Sequence, residues 1–225
     1  MSDKELNIKS STIEKGLDLA KDFLGKLIFP AVEEVGLLMS DNIKVWRFKN
    51  QVRLLNNVEK YVKEKNISIK KVPLKILLPL LENASLEEEP LLNELWENLL
   101  INYVDSNKTF NSIVYPKILS ELSSSEAKFI LSFYNYIKYD LKSKDVTTYR
   151  NEYDALFTNK GLSKITYPEI SNLIRLGILK DVVAYDSRGP AKFQYSTGAP
   201  ESLRIISRIS ITELGKEFIE FCNVK

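Results

Sequence analysis

Histidine is absent from the 225 residues of this sequence, and cysteine occurs once, at Cys222. Without an imidazole group, a Ser-His-Asp or Cys-His nucleophile system and a histidine-ligated zinc site are excluded. A single thiol also excludes an internal disulfide and any metal site built from several thiolates. The sequence therefore argues against a metalloenzyme, a thiol enzyme and a disulfide-stabilised secreted domain, and we expect neither a metal nor another cofactor.

Glycine is scarce, with 8 residues, and the glycine-rich catalytic motifs are missing. Neither the dinucleotide-binding pattern GxGxxG nor the phosphate-binding pattern GxxxxGK[S/T] occurs. The nucleophile pattern GxSxG of the α/β-hydrolases is missing as well. No enzymatic reaction is evident from the sequence.

A long uninterrupted apolar run is also lacking. The most apolar stretch, residues 23–39, contains three charged residues and Pro30, whereas a membrane-spanning helix needs about 20 predominantly apolar residues. The first residues of the chain are polar and mixed in charge, unlike a secretory signal. We therefore expect a cytoplasmic protein without a membrane partner; an amphipathic helix on a membrane surface over residues 17–29 is the alternative.

Charge is balanced over the whole chain, with a net charge of +2, but it is segregated along the chain. Residues 44–75 contain ten Lys or Arg and two Glu, whereas residues 76–105 contain seven acidic residues and no Lys or Arg. We predict that a basic helix packs antiparallel against an acidic helix. The alternative is that the basic segment forms a ligand-binding face.

Apolar residues recur at helical spacing through the first two-thirds of the chain. Residues 11–14, 85–88 and 123–126 each match the capping box, in which a serine and a glutamate three residues later bond the first amides of a helix. Apolar residues recur at spacings of three and four, and Trp46 and Trp96 each lie on such a stripe. The pattern predicts a bundle of helices with both tryptophans in its core, and base stacking or a partner groove is the alternative for either.

The pattern changes after about residue 145. Residues 166–169 form a further capping box for a short helix that ends at Gly177. Residues 178–186 and 203–211 are predicted strands, separated by a turn-rich segment, and Thr212 is the predicted N-cap of a closing helix. Helix, strand, long hairpin, strand and helix in this order are typical of a winged-helix domain.

The fold class that we predict is mainly α. Residues 1–145 form an N-terminal helical bundle, and residues 146–225 form a small α+β winged-helix-like domain.

A polar strip in the N-terminal domain holds the first candidate site residues. Glu34 and Asp41 lie two helical turns apart on one face, and Trp46, Arg47 and Asn50 follow. One interpretation is a solvated ladder of charges. A second is a binding surface formed by these five residues, and a third is a carboxylate-based active site at Glu34 and Asp41.

The predicted C-terminal domain contains four candidate contacts to nucleic acid. Asn172 and Arg175 lie on its recognition helix, and Arg188 and Lys192 lie in its hairpin. From residue 151 onward, however, ten Lys or Arg are balanced by nine acidic residues, whereas duplex-binding domains usually have a dominant basic face. This balance favours a protein-binding module, with DNA binding as the alternative.

Residues 30–50, PAVEEVGLLMSDNIKVWRFKN, resemble the signature of the abortive-infection alpha family. The matching positions are Pro30, Glu33 or Glu34, Gly36, Asp41, Arg47 and Asn50. Four further segments are similar to that family: VPLKILLPLL at 72–81, ELWENLL at 94–100, ILSELSSSEAKFI at 118–130 and ISITELGKEFIEFC at 209–222.

The resemblance implies a helical bacterial protein of defence against bacteriophage, often associated with prophages or mobile elements, and it implies no known reaction. Our hypothesis is an antiphage defence protein that binds a protein partner or a second copy of itself, with a phage component among the candidate partners. We expect Trp46, Arg47 and Asn50 at or near its functional surface. A winged-helix DNA-binding transcriptional regulator is the alternative.

Overall fold

The computed structural model describes residues 11–28, 45–109, 112–139, 145–150, 154–157, 162–182 and 207–223 of the chain. This part of the chain contains eight helices and five strands, so the protein is mainly helical, as the sequence predicted. The chain divides into two compact units. The first unit comprises residues 1–121 and 221–225, and the second comprises residues 122–220.

The first unit is built from five described helices. They are α1 (Ser11–Leu27), α2 (Val45–Glu64), α3 (Leu74–Ala84), α4 (Pro90–Val104) and α5 (Val114–Ser120). Helix α2 packs against α1, α3 and α4, and helix α5 packs against α3 and α4. Helix α2 is therefore central to this unit.

Apolar stripes on these helices form the core of the first unit. Trp96 is 1% exposed, which confirms its predicted place in the core, and Leu55, Leu77 and Leu99 are fully buried. Burial of large apolar side chains of this kind is the main favourable contribution to folding. The helical spacing in the sequence identified these faces correctly.

Two asparagines of α4 bind the last residues of the described chain, within the first unit. The Asn98 Nδ2 atom donates to the Cys222 carbonyl oxygen at 3.0 Å, and the Asn102 Nδ2 atom donates to the Phe221 carbonyl oxygen at 2.5 Å. The Phe221 ring contacts the rings of Tyr103 and Tyr115, with centroids 5.3 and 5.4 Å apart. Because a helix leaves its last carbonyl groups without intrahelical partners, these amides satisfy groups that would otherwise be unpaired.

The second unit combines three helices with a sheet. Its helices are α6 (Ser124–Tyr139), α7 (Tyr167–Arg175) and α8 (Glu213–Cys222), the last of which ends in residues assigned to the first unit. Its strands are β1 (Asp145–Arg150), β2 (Asp154–Phe157), β3 (Ile165–Thr166), β4 (Leu179–Val182) and β5 (Ser207–Ile211).

The five strands form one antiparallel sheet with the order β3-β2-β1-β5-β4. Strands β4 and β5 pair as the sequence predicted, with Leu179 opposite Ile211. Strands β1, β2 and β3 were not predicted. The hairpin that would form a wing lies outside the described residues, so the winged-helix-like fold stays a prediction.

The division into units falls at residues 121–122, whereas the sequence analysis placed a domain boundary at residues 145–146. The difference concerns mainly helix α6, which packs against α7 and β3 in the second unit. As a statement about separately folding domains, the boundary at 145–146 stays a prediction.

Two predicted capping boxes are confirmed. The Ser123 amide donates to Glu126 Oε2 at 2.6 Å, and the Glu126 amide donates to Ser123 Oγ at 3.2 Å, at the start of α6. The Thr166 amide donates to Glu169 Oε2 at 2.7 Å at the start of α7. Both boxes satisfy amides that a helix leaves free at its first turn.

The capping box predicted at residues 85–88 is wrong. Helix α4 begins at Pro90, whose fixed φ and missing N–H suit a first helical position. Ser85 instead follows the last residue of α3, and its hydroxyl donates to the Glu82 carbonyl oxygen at 2.6 Å. The motif was read as a helix start, although it lies at a helix end.

Two helical glycines are expected to respond in opposite ways to alanine. A Cβ atom at Gly215 in α8 would lie 2.4 Å from the Ile178 carbonyl oxygen, whereas a Cβ atom at Gly25 in α1 would meet nothing within 4 Å. We expect Gly215→Ala to lower the free energy of unfolding by about 1–3 kcal/mol through overpacking. Gly25→Ala should raise it by about 0.5–1 kcal/mol, because alanine is the better helix former.

Urea unfolding of both variants, followed by circular dichroism, measures these changes. Unchanged or raised stability of Gly215→Ala would contradict the close approach of α8 to the Ile178 backbone.

Candidate functional site

Helix α2 presents three polar side chains to the C-terminal end of α3, and two of them are sequence-predicted site residues. The Arg47 Nε atom donates to Ser85 Oγ at 3.0 Å, and the Asn50 Nδ2 atom donates to the Ser85 carbonyl oxygen at 3.1 Å. The Gln51 Nε2 atom donates to the Leu81 carbonyl oxygen at 3.3 Å. We call Arg47, Asn50 and Gln51 the α2 polar strip.

The α2 polar strip supplies side-chain hydrogen-bond donors to the residues at the C-terminal end of α3. The final carbonyl groups of a helix lack intrahelical partners, and buried ones are costly to leave unbonded. Ser85 is fully buried, and Asn50 also reaches the Glu87 carbonyl oxygen at 3.4 Å. Arg47 and Asn50 therefore hold the link between α3 and α4 against α2, which is a structural task.

The structure brings only part of the predicted binding surface together. Arg47 and Asn50 lie one helical turn apart and meet at Ser85. Glu34 and Asp41 lie outside the described residues, and for Trp46 only the helical backbone is described. A binding role for these five residues stays a prediction, as does a carboxylate site at Glu34 and Asp41.

Helix α2 runs in the same direction as α4. Arg53 Nη2 donates to Asn93 Oδ1 at 2.9 Å, and one turn later Asn57 Nδ2 donates to Glu97 Oε1 at 2.6 Å. The predicted antiparallel packing is therefore wrong for these two helices, because the chain reverses direction twice, once into α3 and again into α4. Each of these two contacts joins a charged side chain to a side-chain amide, so neither contact is a salt bridge.

A groove of about 510 Å³ lies beside the C-terminal half of α2 in the first unit. Phe23 and Val62 are buried in its wall, and Ile67 and Ile69 are half-buried there. The groove also contains Glu59, whose side chain is 7% exposed. A carboxylate this deeply buried requires a partner, since an unpaired buried charge is strongly unfavourable.

Two lysines provide that partner. The Lys63 Nζ atom lies 2.9 Å from Glu59 Oε1, and the Lys26 Nζ atom lies 3.7 Å from the same oxygen. The lysine side chains themselves are more than half exposed. We call Lys26, Glu59 and Lys63 the charged triad; it contains one more positive than negative group.

The sequence analysis missed the charged triad, although a signal for Glu59 was present. Glu59 lies four residues after Leu55 and three before Val62, which places a carboxylate within the apolar stripe of α2. A charged residue on a core-facing stripe is the informative exception to the apolar pattern. Lys26 has no comparable signal, because its contact with Glu59 depends on how α1 packs.

In the second unit, the two confirmed capping boxes are joined to each other. The Ser125 hydroxyl donates to Glu169, and the Asn172 Nδ2 atom donates to Glu126 Oε1 at 2.8 Å. Glu126 is 3% exposed. Each box glutamate thus accepts hydrogen bonds both from its own helix start and from the other helix, which fixes α6 against α7.

These hydrogen bonds occupy the side chain of Asn172, which is one of the candidate nucleic-acid contacts. The Asn172 amide donates to Glu126, and its Oδ1 atom accepts from Arg175 Nε at 3.0 Å and Nη2 at 2.6 Å. Reading a base with asparagine needs both amide groups at once. Arg188 and Lys192 lie outside the described residues. The DNA contacts stay a prediction, and the geometry of Asn172 does not favour them.

The pKa values of Glu169 and Cys222 both differ from the ordinary values of these groups. Burial pushes the pKa of Glu169 upward, but hydrogen bonds from Ser125 and from the backbone and hydroxyl of Thr166 outweigh burial, so the pKa lies below its ordinary value. Burial raises the pKa of the Cys222 thiol. Cys222 is 1% exposed and packs as a small apolar residue.

The described residues contain neither a metal-binding cluster nor a membrane-spanning helix. Within these ranges, no three Cys, Asp or Glu side chains are grouped so that they could hold a metal ion. The described helices also include none that is long and apolar enough to cross a membrane.

Comparison with known families provides the identification. The model of the family described as abortive infection alpha matches residues 42–222, which is well over half of the chain. The chain belongs to the abortive infection alpha family. No curated protein and no solved structure matches it.

The abortive infection alpha match includes Arg47 and Asn50 but begins after Asp41. The family resemblance seen in the sequence is thus confirmed, although Pro30, Gly36 and Asp41 precede the matched range. Of the positions that carried that resemblance, the two that the structure describes belong to the α2 polar strip.

We expect Arg47 and Ser85 to be energetically coupled. Arg47→Ala and Ser85→Ala should each lower the free energy of unfolding by about 1–2 kcal/mol, since each leaves a polar group of the α3 end without its partner. The double variant should lose less than the sum of the two, with a coupling of about 0.5–1.5 kcal/mol. Urea unfolding of the four proteins measures this cycle.

Lys49→Ala is the matched control, because Lys49 is exposed in the same turn of α2. It should change the free energy of unfolding by less than about 0.5 kcal/mol. Strict additivity of Arg47→Ala and Ser85→Ala would show that the α2 polar strip does not stabilise the α3 end.

The stabilising effect of the Glu169 carboxylate should depend on pH. Because the folded-state pKa is lowered, this contribution is fully present above the ordinary glutamate pKa and is lost as the pH falls through the folded-state pKa. We expect wild type to exceed Glu169→Gln in stability at pH 7 and this difference to shrink below about pH 4.5. Thermal unfolding across pH measures it, and a constant difference between the two proteins would contradict the carboxylate's role.

Proposed function

We propose that this protein defends a bacterium against bacteriophage by abortive infection, and that it acts in the cytoplasm by binding a protein partner or a second copy of itself. The observation that carries the proposal is the family match over residues 42–222. Membership of the abortive infection alpha family supports the defence role. The mode of action, by binding, is our inference from the residues.

The chemistry of the described side chains supports binding over catalysis. The only thiol is buried with a raised pKa, so the reactive thiolate is disfavoured. Glu126 and Glu169 of the second unit are engaged at helix starts. The Cys222 thiol and these two carboxylates are thus used to hold the fold.

The start of α2 is our candidate for the partner surface. Arg47 and Asn50 fix this turn of the helix to the α3 end through Ser85. A turn held in this way presents neighbouring side chains with little loss of conformational entropy on binding. Trp46 belongs to the same turn, and tryptophan is a residue type that often dominates binding energy. A phage component is one candidate partner, and a prophage is one expected genetic setting.

Defence is tested by phage challenge of cells that express the full chain. Abortive infection predicts that a culture survives when few cells are infected, because each infected cell stops growing before it releases phage. It also predicts that the culture stops growing when every cell is infected. Plaque counts and growth curves at low and high phage-to-cell ratios measure both, against cells with an empty vector. Equal plaque counts with and without the protein across a broad phage panel would contradict the proposal.

The binding surface is tested by variants in the same assay. Trp46→Ala should abolish protection in a variant that circular dichroism shows to be folded, whereas Lys49→Ala should protect as wild type does. Arg47→Ala should lose protection only in proportion to its lost stability. Full protection by a folded Trp46→Ala variant would remove the start of α2 from the mechanism and would leave the defence role intact.

A further inference from the structure

The groove beside α2 has the dimensions and lining of a small-molecule site. Its volume of about 510 Å³ falls within the range of about 300–1,000 Å³ found for ligand pockets. Its wall is apolar at Phe23, Val62, Ile67 and Ile69, and its charged groups are confined to the charged triad. Ligand sites typically have this combination of an apolar lining with a few fixed polar groups.

The charged triad sets the sign of the charge that the groove accepts. Glu59 is nearly inaccessible and holds both ammonium groups through one oxygen, whereas Lys26 and Lys63 remain more than half exposed. An ammonium group has several N–H donors, so each lysine retains donors after it has met Glu59. The triad therefore offers an excess of one positive charge, with its donors toward solvent, and it favours an anion.

The end of α2 does not cancel this preference. The C-terminus of a helix disfavours anions because of its exposed carbonyl groups. Here the last turn closes in a Schellman motif: Asn66 adopts a positive φ of 51°, its amide donates to the Lys63 carbonyl oxygen, and the Ile67 amide donates to the Val62 carbonyl oxygen. These carbonyl groups are bonded, and Lys26 and Lys63 are the positively charged groups that line the groove.

We propose that this groove binds a small organic anion with an apolar body. The negative group of the ligand lies between Lys26 and Lys63, and its apolar body lies against Phe23, Val62 and Ile69. Glu59 is a positioning residue that holds the two lysines. This site is separate from the α2 polar strip, and it does not depend on the proposed defence function.

The experiment compares octanoate, octanol and octylammonium, which share an apolar chain and differ in charge. Each is titrated into the full-length, isotope-labelled protein while the nuclear magnetic resonance signals of groove residues are followed. We expect saturable shifts at Val62, Ile67 and Ile69 with octanoate, and affinities at least about tenfold lower for the other two compounds, as loss of one charged contact implies. Added salt should weaken octanoate binding and leave octanol binding unchanged.

Two lysine variants and a matched control locate the anion. Lys63→Met and Lys26→Met keep an apolar chain and remove the charge, and each should weaken octanoate binding by about tenfold. Lys60→Met is the control, because Lys60 is exposed on the same helix and pairs with Glu64 outside the groove.

Three results would overturn the proposal. They are equal affinity for octanoate and octanol, unchanged octanoate binding in both Lys63→Met and Lys26→Met, and shifts that lie outside the groove. Because phage protection is measured separately, failure of octanoate binding would reject this site without touching the defence proposal.

Discussion

The C-terminal end of helix α3 must find hydrogen-bond donors, and this requirement organises the first unit. Ser85 is fully buried, so its carbonyl and hydroxyl groups cannot turn to water. Arg47 and Asn50 reach them from the neighbouring helix, and Gln51 reaches the Leu81 carbonyl oxygen one turn earlier. This set of contacts fixes where α2 lies along α3, and with it the turn from which α4 departs. An arginine and an asparagine three residues apart therefore have a structural reason to occur together.

The same solution recurs at other helix ends in the described part of the chain. Asn98 and Asn102 bond the carbonyl groups of Cys222 and Phe221, and the two capping boxes of the second unit exchange hydrogen bonds through Ser125 and Asn172. Polar side chains at such positions are part of the packing, because a buried unsatisfied group costs more than a satisfied one contributes. Sequence reasoning tends to assign such residues to function, since they are polar and do not fit an apolar stripe. The charged triad differs, because its lysines remain largely exposed to solvent.

Local signals in the sequence were sufficient for much of the fold. The helical stripe through Trp96 and the boxes at Ser123 and Thr166 depend on residues close in sequence, and these predictions were confirmed. Apart from the pairing of β4 with β5, predictions that needed a partner distant in sequence failed or were not made. Ser85 was read as a helix start because its local pattern fits one, and only the packing of α2 shows it at a helix end. Strand β1 pairs with β5 about sixty residues later, a contact that no local pattern specifies. Likewise, the ion pair of Lys26 with Glu59 depends on how α1 packs against α2, which no local pattern specifies.

The central claim is that donors from α2 hold the end of α3, and amide hydrogen exchange tests it most directly. Asn50→Asp keeps the size of the side chain but replaces the donor by a carboxylate, which faces the carbonyl groups of Ser85 and Glu87. The account predicts that amides of this turn, including those of Ser85 and Leu86, exchange faster in the variant. The amides in the middle of α4 should exchange as in wild type. Unchanged exchange at Ser85 and Leu86 in a folded Asn50→Asp variant would contradict the account.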